Sequence, residues 1–179
     1  MTILIIILFI LGGFIAFILI VALFVDRHYT ITEEVIIQKP NDAVFDFVKQ
    51  MRNQNQYNKW VMLDPNVRLE YIGADGTEGF ICKWESDLKQ AGKGQQTIKR
   101  VIPGSQVDYD IQFIEPFEGI AAAFLKTNEV GTDTTNVKWS FSSSMKYPMN
   151  IMIPIFGMKE MLRKDLALSL NNLKTILEK

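Results

Sequence analysis

The chain has 179 residues, with 19 basic and 20 acidic side chains and a formal net charge of −1. This balance gives no electrostatic indication of nucleic-acid binding, which needs a clustered basic surface. The single cysteine, Cys82, excludes an internal disulfide. One cysteine and one histidine, His28, are too few to form a zinc site from these two residue types.

An apolar segment opens the chain. The 23 residues from Ile3 to Val25 carry no charge. At ~1.5 Å per residue a helix of this length spans ~34 Å, enough to cross a ~30 Å hydrocarbon core. A cleaved signal peptide is the alternative, but its apolar run should be only ~7–15 residues long with a basic residue before it. We therefore predict a transmembrane anchor at residues 1–25 and one soluble domain at residues 26–179.

The side of the membrane depends on one charge. Arg27 follows the apolar segment directly, and no basic residue precedes it. Basic residues near a membrane span favour the cytoplasmic side. The expectation is a single-pass protein of the bacterial plasma membrane, with Arg27 favouring a cytoplasmic domain.

The first elements after the anchor are a strand and short helices. Alternating side chains predict a strand over Tyr29–Ile37. A turn and a short helix follow, and Asn41 or Asp42 is expected to cap that helix with its side-chain oxygen. The polar stretch from Gln50 to Trp60 predicts a second short helix or a loop.

Six further strands are predicted from side chains that alternate with a period of two. They cover residues 67–72, 80–85, 92–102, 107–113, 119–128 and 137–142. Glycine, proline and aspartate between them indicate turns, and turns at this spacing are typical of an antiparallel meander.

The last stretch of the chain has a helical period. Apolar residues recur at steps of three and four from Ile155 to Leu177, which predicts one long amphipathic helix. One helix covers only one face of a sheet. We therefore expect a strongly curved antiparallel sheet wrapped around this helix, with a space between the two.

Four stretches resemble the SRPBCC superfamily of START, Bet v 1 and polyketide-cyclase-like domains. They are residues 35–48 (VIIQKPNDAVFDFV), residues 58–65 with Trp60 and Pro65, residues 112–117 (QFIEPF) and residues 135–141 (TNVKWSF). The third resembles a strand junction in the membrane-anchored subset of the superfamily. The resemblance covers residues 29–178, nearly the whole soluble part.

The resemblance implies an α+β helix-grip fold. Its parts are a curved antiparallel sheet of about seven strands around a long C-terminal helix, preceded here by one N-terminal transmembrane helix. It also implies a cavity for apolar or amphipathic molecules such as lipids, sterols, polyketides or quinones. Some members are cyclases or dehydratases. No cofactor or metal is expected.

Large side chains on the inner face are the predicted ligand-binding residues. They are Phe80, Cys82, Trp84, Tyr109, Ile111, Phe113, Trp139, Phe141, Met158 and Leu162. Apolar walls with a few polar tips suit an amphipathic ligand. The alternative is a core that these side chains fill themselves, as in a structural or regulatory membrane protein.

Catalytic side chains are scarce in the predicted domain. His28 lies beside the anchor, so no histidine is available as the base of a nucleophilic triad. Asp108 and Asp110 alternate with apolar residues and are expected to face solvent. A cyclase or dehydratase would need a polar group inside the pocket, for which Tyr109 and Gln96 are the candidates. The sequence therefore favours binding over catalysis, with an apolar small molecule and the lipid bilayer as partners.

Methionines cluster around the start of the last helix. They are Met145, Met149, Met152, Met158 and Met161. Methionine adapts to irregular partners. This segment is expected either to pack ordinarily at the helix entrance, to form a mouth to the cavity, or to dip towards the bilayer.

Overall fold

A computed structural model describes residues 2–179, except for the side chain of Thr2. The helices are α1 Thr2–Phe24, α2 Asn41–Val48, α3 Gln54–Tyr57, α4 Met152–Ile155 and α5 Met158–Leu177. The strands are β1 His28–Ile37, β2 Arg68–Ile72, β3 Ile81–Glu85, β4 Lys93–Ile102, β5 Gln106–Glu115, β6 Gly119–Gly131 and β7 Thr134–Ser144. Short 3-10 turns cover Met51–Asn53, Val61–Leu63 and Met149–Ile151.

The seven strands form one antiparallel sheet in the order β1-β7-β6-β5-β4-β3-β2. From β2 to β7 each strand forms a hairpin with the next one along the chain. Strand β1 pairs with β7, so that Ile31 lies opposite Phe141. This confirms the predicted seven-stranded helix-grip architecture with its long terminal helix.

Helix α5 lies on the inner face of the sheet. Leu166, Leu170 and Leu173 share one stripe of the helix and are at most 1% exposed. Their burial contributes roughly 1.5–3 kcal/mol each. The helix begins later than the sequence predicted, because Gly157 has a φ of +57° and separates it from α4. Ile155, predicted on the apolar face of the long helix, is instead on α4 and 65% exposed.

The predicted cap of α2 is wrong. Pro40 is the residue before the helix, and no side chain caps its first turn. The Asn41 side chain instead donates a hydrogen bond to the Gly104 carbonyl at 2.7 Å, between β4 and β5. Asp42 lies in the first turn, where its charge favours the positive end of the helix dipole.

We call the sheet together with α5 the grip. Because the strands are antiparallel, their turns collect at two opposite ends of the grip. The anchor end holds the start of β1, the end of β7, the start of α5 and the loops 86–92 and 116–118. There the Met145 amide donates to the Arg27 carbonyl at 2.8 Å. The far end holds the turns 73–80, 103–105 and 132–133 and the end of α5, where the Glu178 carboxylate accepts a hydrogen bond from the backbone N–H of Gln38 at 2.7 Å.

A glycine in β4 makes room for a tryptophan. A Cβ atom on Gly94 would lie 2.4 Å from the Gln112 carbonyl oxygen and 2.4 Å from a ring carbon of Trp84. We expect Gly94→Ala to lower the free energy of unfolding by about 1–3 kcal/mol through overpacking. Denaturant unfolding of the full chain in detergent micelles measures the loss.

Gly131→Ala is the matched control for this overpacking. Its new Cβ would meet nothing closer than 3.7 Å, and Gly131 does not have a positive φ. We expect a change within about 0.5 kcal/mol. Equal stabilities for the two variants would contradict the described approach of Trp84 to β4.

Candidate ligand-binding site

The far-end half of the grip is filled by its own side chains. Phe80, Tyr109 and Trp139 are at most 3% exposed. Trp139 meets the Tyr57 ring edge-on at 6.0 Å between centroids. Phe141, 7% exposed, lies nearer the anchor end, between Tyr29 and Trp60. The structure therefore places four of the predicted binding residues, Phe80, Tyr109, Trp139 and Phe141, in the packed core.

The anchor-end half is only partly covered. The other predicted binding residues are half-buried: Cys82, Trp84, Ile111, Phe113, Met158 and Leu162. Leu69 and Tyr71 on β2 continue this surface, since they pair with Trp84 and Cys82. We call the half-buried inner face of β2 to β5, together with Met158 and Leu162, the inner open surface.

An aromatic wall crosses the inner open surface. Trp84 lies opposite Gly94, and Gly94 lies opposite Phe113. Because Gly94 has no side chain, the Trp84 ring reaches across β4 to meet Phe113 edge-on at 6.0 Å. The Trp84 indole nitrogen donates to the Ala91 carbonyl at 3.1 Å, which fixes the ring. The wall therefore presents two large rings in a set orientation.

Gln96 brings an amide to this apolar surface. It lies on β4 between its pairing partners Cys82 on β3 and Ile111 on β5, and it is half-buried. An amide both donates and accepts hydrogen bonds. A single such group among apolar side chains can orient an amphipathic molecule.

A cluster of polar side chains lies deeper, where α3 meets the sheet. Gln54, Tyr57 and Tyr109 are at most 2% exposed. The Asn58 side chain donates to the side-chain amide oxygen of Gln54 at 3.0 Å, and the Tyr109 hydroxyl donates to the backbone carbonyl of Val48 at 3.4 Å. Within residues 2–179 the Tyr57 hydroxyl and the Gln54 amide nitrogen have no hydrogen-bond partner. Buried polar atoms without partners are rare in folded proteins.

Burial changes the acidity of three groups along the inner face. It raises the pKa of the Tyr57 and Tyr109 hydroxyls well above the ordinary phenol value, so both keep their protons at neutral pH. Burial also raises the pKa of the Cys82 thiol to about 11, with Asp75 adding to the effect. These groups serve as hydrogen-bond donors or apolar surface and are poor bases and nucleophiles at neutral pH.

Tyr57→Phe should stabilise the protein. The change removes a buried hydroxyl that has no partner, so we expect a gain of about 1 kcal/mol at neutral pH. Because the folded-state pKa is raised, the unfolded chain ionises first as the pH rises above the ordinary value of 10.0, and stability falls there. The variant should lose less stability between about pH 10 and pH 11 in thermal unfolding.

Tyr109→Phe is the control for Tyr57→Phe. It also removes a raised phenol pKa but breaks the hydrogen bond to Val48. It should therefore lessen the alkaline loss without the gain at neutral pH. A destabilised Tyr57→Phe would show that its hydroxyl has a partner after all.

Cys82 should react slowly. A rise in pKa from 9.0 to about 11 lowers the thiolate fraction at neutral pH about 100-fold. Alkylation by iodoacetamide, followed by intact mass, should be slower by about this factor than at Thr132→Cys, an exposed far-end position, in a Cys82→Ala background. Equal rates would mean that the Cys82 thiol is not shielded.

Two grooves of about 530 and 380 Å³ lie on the outer face of the sheet. The larger contains the ion pairs Lys99–Asp110 at 3.1 Å and Arg100–Asp108 at 2.8 Å. The outward direction predicted for the two aspartates is confirmed. These charges satisfy each other, and neither groove lies between the sheet and α5. Within residues 2–179 no group of three or more His, Cys, Asp or Glu side chains is placed to hold a metal ion.

Sequence reasoning missed the contributions of α3. Gln54 and Tyr57 lie in a four-residue helix, too short for a period to show which side faces inward. Trp60 follows this helix. Its ring meets Trp139 edge-on at 6.2 Å and Phe141 at a tilt at 6.1 Å between centroids. Two large aromatic residues, Tyr57 and Trp60, stand in this otherwise polar stretch, and they could have indicated that the segment contributes to the core.

No protein-family model matches the chain, and no curated protein matches it in sequence. The fold, however, is known: a seven-stranded antiparallel sheet around a long terminal helix is the helix-grip fold of the SRPBCC, or Bet v 1-like, superfamily. The predicted resemblance to this superfamily is confirmed at the level of fold.

Three solved structures illustrate the likeness. Norcoclaurine synthase from Thalictrum flavum, in complex with dopamine and hydroxybenzaldehyde, is 17% identical with a TM-score of 0.59, over 83% of this chain and 86% of that one. Ara h 8.0201 is 15% identical with a TM-score of 0.58, over 84% and 97%. Protein CV1439 from Chromobacterium violaceum is 12% identical with a TM-score of 0.59, over 84% and 97%. Identities this low show a shared fold and do not assign a function.

Helix α1 is the apolar segment at the start of the chain. Residues Ile3–Phe24 are long and apolar enough to cross a membrane. A signal sequence near an N-terminus passes the same test. Its side chains from Ile3 to Phe17 are exposed, so the rest of the chain does not bury them.

Proposed function

We propose that this chain is a membrane-anchored protein that binds an apolar or amphipathic small molecule on the inner open surface. One observation carries the proposal. The inner face is packed and buried at the far end, whereas Trp84, Ile111 and Phe113 at the anchor end are left half-exposed. Exposed apolar surface costs roughly 25 cal/mol per Å², so a ligand that covers these residues gains this energy on binding.

The chemistry of the surface sets the class of ligand. Trp84 and Phe113 offer ring faces and edges, and Gln96 offers one amide. Such a surface suits a molecule with an apolar body and a single polar group. The solved norcoclaurine synthase structure, which holds dopamine and hydroxybenzaldehyde, supports small-molecule binding by this fold.

The anchor is the second part of the proposal. Helix α1 would span the bilayer and hold the grip at a membrane surface. An anchored domain would then meet lipid-soluble molecules at a high local concentration. Arg27, at the end of the span, favours a cytoplasmic domain.

The alternative to ligand binding is a structural role, and one observation favours it. The far-end core is filled by Tyr57, Trp139 and the α5 leucines, as expected for a domain that needs no ligand to be stable. In that case the half-exposed surface would be ordinary apolar exposure or would meet another protein.

Photolabelling of the full chain in lipid vesicles tests the proposal. A diazirine-bearing fatty acid is added and the sample is irradiated. The labelled residues are then identified by peptide mass spectrometry. We expect label on the inner face of β3 to β5 and also on α1, which serves as an internal control because it would contact lipid directly.

Two matched variants separate the two faces of β5. Ile111→Arg places a charge on the inner open surface, and Ile114→Arg places the same charge on the outer face, where Ile114 is 41% exposed. Label on the inner face should be lost in Ile111→Arg and kept in Ile114→Arg. Label on α1 alone in the unmodified chain would refute ligand binding and leave the anchor standing.

A further inference from the structure

The segment after β7 holds the end of α1. Asn150 is fully buried, and its side-chain amide donates to the carbonyls of Ala22 and Val25, both at 2.7 Å. The last carbonyls of a helix lack partners within the helix, and in or near lipid such groups are costly to leave free. The Tyr147 hydroxyl donates to the Leu19 carbonyl at 3.3 Å, further into the helix.

These contacts join the domain to α1 along one face of the helix. Ile18, Leu19 and Val25 are partly covered, and Ala22 is fully buried. Leu19 lies about 7 Å before the end of the helix at ~1.5 Å per residue. The segment that carries Tyr147 and Asn150 therefore runs alongside the last turns of α1 rather than beyond its end.

The chain next to this contact exposes large apolar side chains. Met149 is 46% exposed, Ile155 65%, Phe156 61% and Met161 51%. Ile155 and Phe156 lie at the bend between α4 and α5, where Gly157 takes its positive φ. We call residues 149–161 the clasp segment.

We propose that the clasp segment inserts into the lipid interface beside α1, as a second membrane contact of this domain. The inference depends on the proposed membrane span of α1. A helix of 23 residues is long enough to cross a ~30 Å hydrocarbon core, and the charged residues Asp26 and Arg27 follow it almost directly. Because charged side chains avoid the hydrocarbon, the final turn of α1 lies at the interface. The clasp segment is bonded to that turn and therefore lies at the same depth.

The polar residues around the clasp segment also fit an interface. The Arg27 guanidinium lies over the Tyr147 ring at 5.7 Å from its centroid. Tyrosine is enriched at the headgroup level of membranes, and arginine near a helix end reaches towards the headgroups. A lipid surface is thus the occupant that matches both the exposed apolar side chains and their neighbours.

Insertion would also set how a ligand reaches the grip. Met158 and Leu162, in the first turns of α5, belong to the inner open surface and follow directly after Phe156 and Gly157. With the clasp segment in the interface, the anchor end of the grip faces the membrane. The ligand class is then a membrane-resident amphipathic molecule, which could enter the grip from the bilayer.

Site-specific fluorescence on the full chain tests this inference. In a Cys82→Ala background, single cysteines are introduced as Phe156→Cys, Phe14→Cys and Leu168→Cys and labelled with a nitrobenzoxadiazole dye. The protein is placed in phosphatidylcholine vesicles that contain lipids with a nitroxide on the acyl chain. Leu168 is the matched control, because it is 46% exposed and apolar but lies on α5 away from α1.

The expected result is quenching of the dye at positions 156 and 14 and not at 168. Quenching at 14 without quenching at 156 would overturn the insertion of the clasp segment and leave the anchor intact. No quenching at 14 would overturn the anchor and this inference together. Ile155→Cys provides a second reporter if the change at 156 prevents folding.

Discussion

Replacing Trp139 with alanine is expected to lower the free energy of unfolding by about 3–5 kcal/mol. Trp139 lies on the inner face of β7, is 3% exposed, and meets the rings of Tyr57 and Trp60 edge-on at 6.0 and 6.2 Å. Its removal takes away apolar contacts on both α3 and the sheet. The surrounding rings belong to separate elements and can close only part of the resulting cavity.

Denaturant unfolding of the full chain in detergent micelles measures this loss. Ile120→Ala is the control, because Ile120 is on the outer face of β6 and 74% exposed. A surface truncation of this kind should change stability by no more than about 0.5 kcal/mol. If Trp139→Ala cost no more than Ile120→Ala, the far-end core would not be packed as described.

Replacing Asn150 with leucine should detach the domain from α1. Leucine has the same branched shape and the same number of side-chain heavy atoms, but it cannot donate to the Ala22 and Val25 carbonyls. Each buried carbonyl left without a partner costs about 1–3 kcal/mol. We expect the connection between α1 and β1 to open, so that trypsin cleaves after Arg27 faster than in the unmodified chain.

Asn172→Leu controls for a general loss of stability. Asn172 donates a side-chain hydrogen bond to the Tyr57 carbonyl at 3.3 Å, between α5 and α3 and away from α1. This variant should be destabilised without faster cleavage after Arg27. An unchanged cleavage rate in Asn150→Leu would show that Asn150 does not hold the helix.

The strands were predictable because their side chains alternate. In β5, Val107, Tyr109, Ile111 and Phe113 face inward and Asp110 faces out, and the structure keeps that order. The end of α4 was not predictable in the same way. Ile155 continues the helical period of α5, but the backbone turns at Gly157, and a pattern of apolar residues contains no information on that turn.

Sequence also predicted the face of each candidate binding residue but not its depth. Phe80 and Trp84 share the inner face of the sheet, yet Phe80 is 1% exposed and Trp84 is half-buried. The difference arises from what covers each of them, and that depends on where α3 and α5 lie across the sheet. Contacts between elements distant in the chain are not encoded in a local pattern.

The contact between Asn150 and α1 could not be predicted for the same reason. One asparagine in a segment rich in methionine and proline carries no distinctive signal in sequence. Its role appears only when the 3-10 turn Met149–Ile151 is placed against Ala22, more than a hundred residues earlier in the chain.

Native mass spectrometry of the full chain, extracted from cell membranes and released from mild detergent, tests the central proposal most directly. We predict a co-purifying adduct with the mass of an apolar or amphipathic molecule. The adduct should be lost in Ile111→Arg and kept in Ile114→Arg. A bare protein mass that stays unchanged when phospholipids or quinones are added would contradict ligand binding on the inner open surface.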